Sequence, residues 1–144
     1  MFPESGEAIP FTIRNTTVMQ ENGGCKVLWE RTLYFDEKTR KFDATMTIDP
    51  VKGVVQDYLG DPSLFYSDLQ FNVTQEGRLL IRSSVQRFVL GGKELPIPKK
   101  LEGRVIVEEG FDDVKEVFTI HVSIHNPMFG RLVMYAGQFT EKPL

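Results

Sequence analysis

The sequence is poor in the features that mark the more easily recognised classes of protein. Its 144 residues contain one cysteine, Cys25, so no internal disulfide can form. Small secreted domains normally carry several cysteines, so this count favours a reducing compartment, and we predict a cytoplasmic protein. Because Cys25 follows two glycines and opens an apolar stretch, we predict a small packed residue rather than a catalytic thiol.

Long apolar runs and an excess of basic charge are also missing. No segment approaches the roughly 18 consecutive apolar residues that a membrane-spanning helix needs. The formal net charge is −3, whereas nucleic-acid-binding domains usually present a strongly basic face. We therefore expect no membrane span and no nucleic-acid partner.

Apolar residues hold a helical spacing nowhere along the chain, and only residues 63–66 have room for a single helical turn. Almost every segment instead alternates with period two between turn signals, such as those at residues 21–24 and 60–63. This pattern predicts roughly eight or nine strands with short connections, paired as an antiparallel meander. The predicted fold is all-β, an up-and-down barrel of lipocalin-like shape, with a β-sandwich as the alternative.

Two predicted strands carry an arginine on their apolar face. On the first, Arg31 lies between Trp29 and Leu33, and Phe35 continues the alternation. On the second, Arg87 lies between two valines. Burying a guanidinium without a partner costs several kcal/mol, so each arginine must find an anion or a set of carbonyl groups.

Two interpretations of these arginines stay open. In the first, Arg31 and Arg87 meet in one interior and bind the head group of a small amphipathic anion, whose tail lies against Trp29, Leu33 and Phe35. In the second, each arginine pairs with an internal carboxylate, such as Glu109, or reaches the rim along its apolar stem. The first predicts a non-catalytic module for a small amphipathic or apolar ligand, and the second a structural or protein-interaction domain with a solid core.

The segment after Arg87 is unusual for a surface loop because it stays apolar. Gly91 and Gly92 permit a sharp bend that ends the strand, and the prolines that follow cannot donate to a β-ladder. We therefore predict an extended, unpaired segment that lies across an open end of the barrel, as a structural plug or as a lid. It comprises Leu95, Pro96, Ile97 and Pro98.

No catalytic or metal-binding motif is present in the sequence. His121 and His125 are four positions apart on a predicted strand, hence about 13 Å apart, which is too far for one metal ion. Their face is otherwise polar, which predicts exposure to solvent. Nucleophile elbows, phosphate-binding loops and dinucleotide fingerprints are absent. We predict no catalytic residue, metal or cofactor, and an enzyme with a histidine base is only a third hypothesis.

Several short motifs occur in an order that resembles a bacterial family, the domain-of-unknown-function 4166 family. They include Pro10-Phe11-Thr12-Ile13, Trp29-Glu30-Arg31, Asp57-Tyr58-Leu59-Gly60 and Phe129-Gly130-Arg131-Leu132. Members often carry a helical N-terminal stretch before this β region. The resemblance therefore implies one β domain, 1–144, excised from a longer protein whose N-terminal region is a possible intramolecular partner. Some relatives are joined to oxidoreductase-like domains, which implies an accessory role, and no activity is established for the family.

Overall fold

A computed structural model describes residues 8–60 and 63–142 of the chain. In these ranges the chain forms strands and one 3₁₀ turn, at Lys99–Leu101, without any α-helix. The strands are β1 (Phe11–Met19), β2 (Cys25–Tyr34), β3 (Thr39–Lys41), β4 (Ala44–Asp49), β5 (Val54–Leu59), β6 (Phe65–Val73), β7 (Leu79–Leu90), β8 (Lys93–Pro96), β9 (Arg104–Asp112), β10 (Val117–Asn126) and β11 (Gly130–Phe139).

Apart from the short strands β3 and β8, the strands follow one another in the sheet in the order of the sequence. The hydrogen-bonded order is β1-β2-β4-β5-β6-β7-β9-β10-β11, with β3 paired to β2 and β8 paired to β7. Such an order arises because short turns bring each strand back beside its predecessor. It confirms the predicted fold class, an all-β antiparallel up-and-down meander with the strand order of lipocalin-like proteins.

Glycines in tight turns explain where several strands end. β1 and β2 pair from Phe11–Leu33 to Met19–Cys25 around a turn that contains Gly23, at φ 84°. Gly91 and Gly92 have φ values of 54° and 81°, the backbone region that a two-residue hairpin loop requires. The double glycine therefore turns β7 directly back into β8.

This hairpin contradicts the prediction that the segment before Pro98 stays unpaired. Lys93–Pro96 pairs in register with β7, from Leu90 opposite Lys93 to Arg87 opposite Pro96. Pro96 is the last residue of its strand, where a missing N–H is tolerated. The chain leaves the ladder only after Pro96, and Pro98 then precedes the 3₁₀ turn.

The chain divides into two compact units. The first contains the described residues up to Asp68 together with Gln86–Pro96, which are β1 to β5, the start of β6, the end of β7, and β8. Its buried side chains are Ala44, Tyr66, Asp68 and Gln86. Most of these are polar, so hydrogen bonds contribute to the interior of this unit as well as apolar contacts.

The second unit contains Leu69–Val85 and the described residues from Ile97 onward. Its buried side chains are Leu69, Ile81, Val122 and Asn126. Phe118 of β10 packs between its two cross-strand partners, with ring centroids 5.0 Å from Phe111 and 5.3 Å from Phe139. Cross-strand aromatic pairs of this kind stabilise a sheet and help to define its register.

Two local predictions are wrong. Cys25 is exposed rather than packed, because it opens β2 at the end of the β1–β2 hairpin, where its Sγ lies 3.2 Å from Met19 Sδ. Residues 63–66 form no helical turn, since Tyr66 belongs to β6 and is buried there. The turn predicted at residues 60–63 includes positions 61 and 62, which lie outside the described residues.

Candidate functional site

The face predicted for β2 is present in the structure. Trp29, Arg31 and Leu33 alternate along β2 and are all half-buried. Because alternate residues of a strand point to the same side, the structure brings these three side chains together on one face. Phe35 follows the end of β2 and lies in the turn toward β3, where its N–H donates to Lys38 O at 2.9 Å.

The strand register extends this face to β4 and β5. Val27, two positions before Trp29, is opposite Met46 of β4, and Met46 is opposite Asp57 of β5. Directly opposed residues of antiparallel strands point to the same side of the sheet. The side of the sheet that carries Arg31 therefore also carries Asp57, and we call it the Arg31–Asp57 face.

Arg31 is held by the chain that joins β3 to β4. Its Nε donates to the Phe42 carbonyl at 2.7 Å, and its guanidinium carbon lies 4.5 Å from the centroid of the Phe42 ring. Its backbone N–H donates to Asp43 Oδ1 at 3.1 Å. Within residues 8–60 and 63–142, these contacts leave the two terminal guanidinium nitrogens without a hydrogen-bond acceptor.

Asp57 is a second charged group on this face, which also carries Arg40 of β3, opposite Leu33. Its Oδ1 is buried and receives no hydrogen bond from any described residue. Burial raises the pKa of the Asp57 carboxyl to about 6, although the nearby Arg31 charge acts in the opposite direction. Desolvation disfavours the ionised form more than the single cation favours it, so this carboxyl changes charge close to neutral pH.

Arg87 belongs to a different cluster. Its guanidinium carbon lies 5.2 Å from the centroid of the Tyr66 ring, and its Nη1 lies 3.4 Å from Glu94 Oε2. The other Glu94 oxygen accepts a hydrogen bond from Tyr58 at 2.9 Å. Glu94 had no predicted role, and it, rather than Glu109, is the carboxylate that pairs with Arg87.

The structure does not bring Arg31 and Arg87 together. Asp57 and Tyr58 are consecutive in β5, so their side chains point to opposite faces of the sheet. Arg31 and Asp57 share one face, whereas Arg87 lies with Tyr58 on the other, where the Tyr58 ring meets Tyr66 edge-on at 4.9 Å. The expectation that both arginines bind one head group is therefore not met.

The cluster around Arg87 is a set of satisfied hydrogen bonds. The Tyr66 hydroxyl donates to Asp68 Oδ1, and burial, followed by this carboxylate, raises the pKa of Tyr66 far above its ordinary range. Burial and the Glu94 hydrogen bond also raise the pKa of Tyr58. Both phenols therefore stay protonated as donors, and the cluster links β5, β6, β7 and β8.

The residues predicted as a plug or lid are mostly exposed. Leu95 is opposite Phe88 of β7 and is 47% exposed. Pro96 and Pro98 are exposed, and Ile97 is half-buried. Their role as a plug or lid stays a prediction.

The two histidines lie on β10. His121 and His125 are both exposed, opposite Glu108 and Arg104 of β9. Across residues 8–60 and 63–142, no three His, Cys, Asp or Glu side chains are grouped so as to hold a metal ion. No helix in these ranges is both long and apolar enough to cross a bilayer.

Asp57 is the site residue that the sequence analysis missed. The available signal was the one that identified Arg31, since Asp57 stands between Val55 and Leu59 on alternate positions of a strand. A charged residue in an apolar row predicts a buried charge that needs a partner. The contacts of Arg31 with residues 42 and 43 could not be predicted from the alternation pattern. They depend on the path of the β3–β4 connection, which returns beside β2.

The fold and this face define an all-β domain that carries a half-buried arginine and a buried carboxyl oxygen on one side of its sheet. Residues 1–139 match the model of a family described as "Domain of unknown function (DUF4166)", and the chain belongs to this family. It is also 40% identical over 141 residues to the uncharacterised protein YndH of Bacillus subtilis (strain 168), covering 98% of this chain and 69% of that protein. No solved structure matches the chain.

Proposed function

We propose that this chain is a non-catalytic binding module for a small amphipathic ligand whose polar group lies between Arg31 and Asp57. One observation carries the proposal: a buried carboxyl oxygen without a donor shares a face with a guanidinium whose terminal nitrogens lack acceptors in the described chain. Buried polar groups in folded proteins are almost always paired. A ligand with a polar end would complete both sets of hydrogen bonds.

Apolar side chains around this pair support contact with the rest of the ligand. Trp29 and Leu33 flank Arg31 on β2, and Leu59 follows Asp57 on the same side of β5. All three are half-buried, so each retains apolar surface that a ligand could cover. Phe35, in the turn after β2, would contact only a ligand that extends past the end of the strand.

The alternative is a structural or protein-interaction domain with a solid core. The pairing of Arg87 with Glu94 supports this function, because it shows one of the two arginines satisfied within the chain. Under this alternative Arg31 is also structural, held by the Phe42 carbonyl and ring. Replacing Arg31 would then lower stability without changing the binding of any small molecule.

Native and denaturing mass spectrometry of the purified chain, with a Trp29 fluorescence titration, tests the proposal. We expect a co-purifying amphipathic molecule, and a Trp29 response when fatty acids and related anions are added. Arg31→Gln should abolish both signals. Arg14→Gln is the matched control, because Arg14 is an exposed arginine on the opposite face of β1.

Two results would contradict the proposal. If Arg31→Gln retains the ligand as the wild type does, the site is wrong. If the mass shows no ligand and Trp29 responds to none of the added molecules, the solid-core alternative is correct.

A further inference from the structure

We propose that Arg31 and Asp57 form one proton-coupled anion site, in which the acidic group of a ligand binds Arg31 only when the Asp57 carboxyl carries a proton. The inference rests on the proposed function, because it names the chemical class of the polar group and the condition for its binding. The ligand class is an amphipathic molecule with a single acidic group, such as a carboxylate or sulfonate.

The contacts of Arg31 leave the two terminal nitrogens of its guanidinium available to an anion. Only Nε is used, by the Phe42 carbonyl at 2.7 Å, and the ring of Phe42 holds the plane of the guanidinium. The remaining nitrogens form a planar fork of donors, which suits the two oxygens of a carboxylate, phosphate or sulfonate group. A fixed guanidinium loses less entropy on binding than a mobile one.

The state of Asp57 decides whether that fork can accept an anion. When ionised, Asp57 offsets the charge of Arg31 and repels a second negative group nearby. When protonated, its hydroxyl becomes a donor that can bond to the same anion. The unpaired position of Oδ1 fits both states, because no described residue competes for the proton or the lone pairs.

Few other charges face Asp57 in this unit. Besides Arg31, the described charged or titratable groups on this face are Arg40 of β3, opposite Leu33, Lys93 of β8, opposite Leu90, Asp43, which accepts the Arg31 backbone N–H, and Cys25 at the other end of β2. The side chains that β1 and β4 place on this face are uncharged. On β6 and β7 the matching positions hold two uncharged pairs, Ser67–Gln86 and Phe65–Phe88. Tyr58 and Glu94 lie on the opposite face, so the proton that controls binding belongs to Asp57.

The size of the effect follows from the titration range. With a pKa of about 6, roughly 3% of Asp57 is protonated at about pH 7.5 and roughly 90% at about pH 5. If only the protonated form binds, the apparent affinity falls in proportion to that fraction. Binding of an anion should therefore tighten by up to about 30-fold between these pH values.

Titration of the whole chain with anilinonaphthalene sulfonate tests this inference, because its sulfonate stays ionised at both pH values. Energy transfer from Trp29, the single tryptophan, reports binding near Arg31. We expect tighter binding by the wild type at about pH 5, by up to about 30-fold. Asp57→Asn should bind equally at both pH values, about as tightly as the acidic wild type, and Arg31→Gln should bind weakly at both.

Two controls separate the proposed site from general effects of acid. Asp113→Asn removes an exposed carboxylate and should keep the pH dependence of the wild type. Phenylnaphthylamine, a neutral relative of the probe, should show no pH dependence. A neutral probe that also binds more tightly in acid would indicate partial unfolding and would overturn the inference.

The outcomes distinguish the inference from the proposed function. Arg31-dependent binding of equal strength at both pH values overturns the proton coupling and leaves the binding module intact. Binding that does not depend on Arg31 overturns both. Carbon NMR titration of wild-type Asp57 is an independent measurement: saturating probe must raise the pKa of this carboxyl, because coupling between two sites is reciprocal. An unchanged or lowered pKa overturns the inference even if the variants fail to fold.

Discussion

At the scale of single residues, Asp57 carries a cost that depends on pH. The pKa of its carboxyl rises from 3.8 to about 6 on burial, so the folded chain holds the proton more tightly than the unfolded chain. Folding is therefore favoured as the pH falls through this interval, and the ionised carboxyl opposes folding above it. The cost above about pH 6 is about 3 kcal/mol, since one pKa unit corresponds to about 1.4 kcal/mol.

Asp57→Asn should therefore raise the free energy of unfolding near neutral pH. The gain should be about 2 kcal/mol larger at about pH 7.5 than at about pH 4.5, where the wild-type carboxyl is already protonated in the folded chain. Urea denaturation followed by Trp29 fluorescence measures it. Asp113→Asn, at an exposed turn position, should change stability by less than about 0.5 kcal/mol. Equal effects of Asp57→Asn at both pH values would contradict the raised pKa.

Residue patterns alone predicted part of this site. Alternation along β2 correctly placed Trp29, Arg31 and Leu33 on one face, because period two is a local property of an extended strand. It did not show that Arg87 lies with Tyr58 and Glu94 on the other side. That outcome depends on the register between β5 and its neighbours, which single-strand patterns do not contain.

At the scale of elements, one buried amide ties two connections together. Asn126 ends β10 and is 2% exposed. Its Nδ2 donates to the Lys100 and Glu102 carbonyls at 3.0 and 2.9 Å. Its Oδ1 accepts from the N–H groups of Met128 and Phe129, both at 2.9 Å. The side chain therefore joins the 3₁₀ turn to the β10–β11 turn, and both its nitrogen and its oxygen make two hydrogen bonds.

Asn126→Asp should destabilise the protein although the two side chains have nearly the same shape. The change replaces a donor by an oxygen that faces two carbonyl oxygens, and the broken contacts are buried. We expect a loss of about 2–4 kcal/mol in the free energy of unfolding. Chemical denaturation measures it, with Asn72→Asp on the exposed part of β6 as the control. A loss no greater than that of the control would show that the amide does not hold these turns.

The β7–β8 hairpin shows the limit of predictions for elements. The double glycine correctly indicated a bend, because positive φ is a local requirement that glycine meets. The prolines wrongly suggested that the next residues stay unpaired. Proline excludes only its own N–H from the ladder, so three residues before Pro96, together with Pro96 at the strand end, could still pair with β7.

At the scale of the whole molecule, the two compact units share two strands. Asp68 and Leu69 are consecutive in β6, and Val85 and Gln86 are consecutive in β7, yet each pair is divided between the units. Each unit therefore contains only part of each of these two strands. We therefore propose that residues 1–144 unfold as one cooperative domain.

Urea unfolding, measured with a tryptophan probe placed in each unit in turn, tests this prediction. Trp29 reports on the first unit, and a Trp29→Phe, Phe118→Trp variant moves the single tryptophan to the second. Within each protein, the urea midpoint from tryptophan fluorescence should coincide with the midpoint from far-UV circular dichroism. Fluorescence and circular dichroism transitions that separate within either protein would instead define two folding units.

By itself, the sequence determined the class of fold, the period-two faces and most of the turns. These features depend on steric preferences and alternation over a few neighbouring residues, so they can be predicted from a short segment. Apolar residues showed no helical spacing, and turn signals separated the alternating segments. Together these two observations were sufficient to predict an antiparallel meander of about the observed strand number.

The tertiary structure decided which charged groups meet. β3 and β4 separate Arg31 from Asp57 along the chain. Only the pairing of β2 with β4 and of β4 with β5 places the two residues on one face. Arg87 and Glu94 are close in sequence, yet their pairing with Tyr58 requires the hairpin to return beside β5. Such contacts arise from the packing of whole strands, and a shift of one residue would move a side chain to the other face.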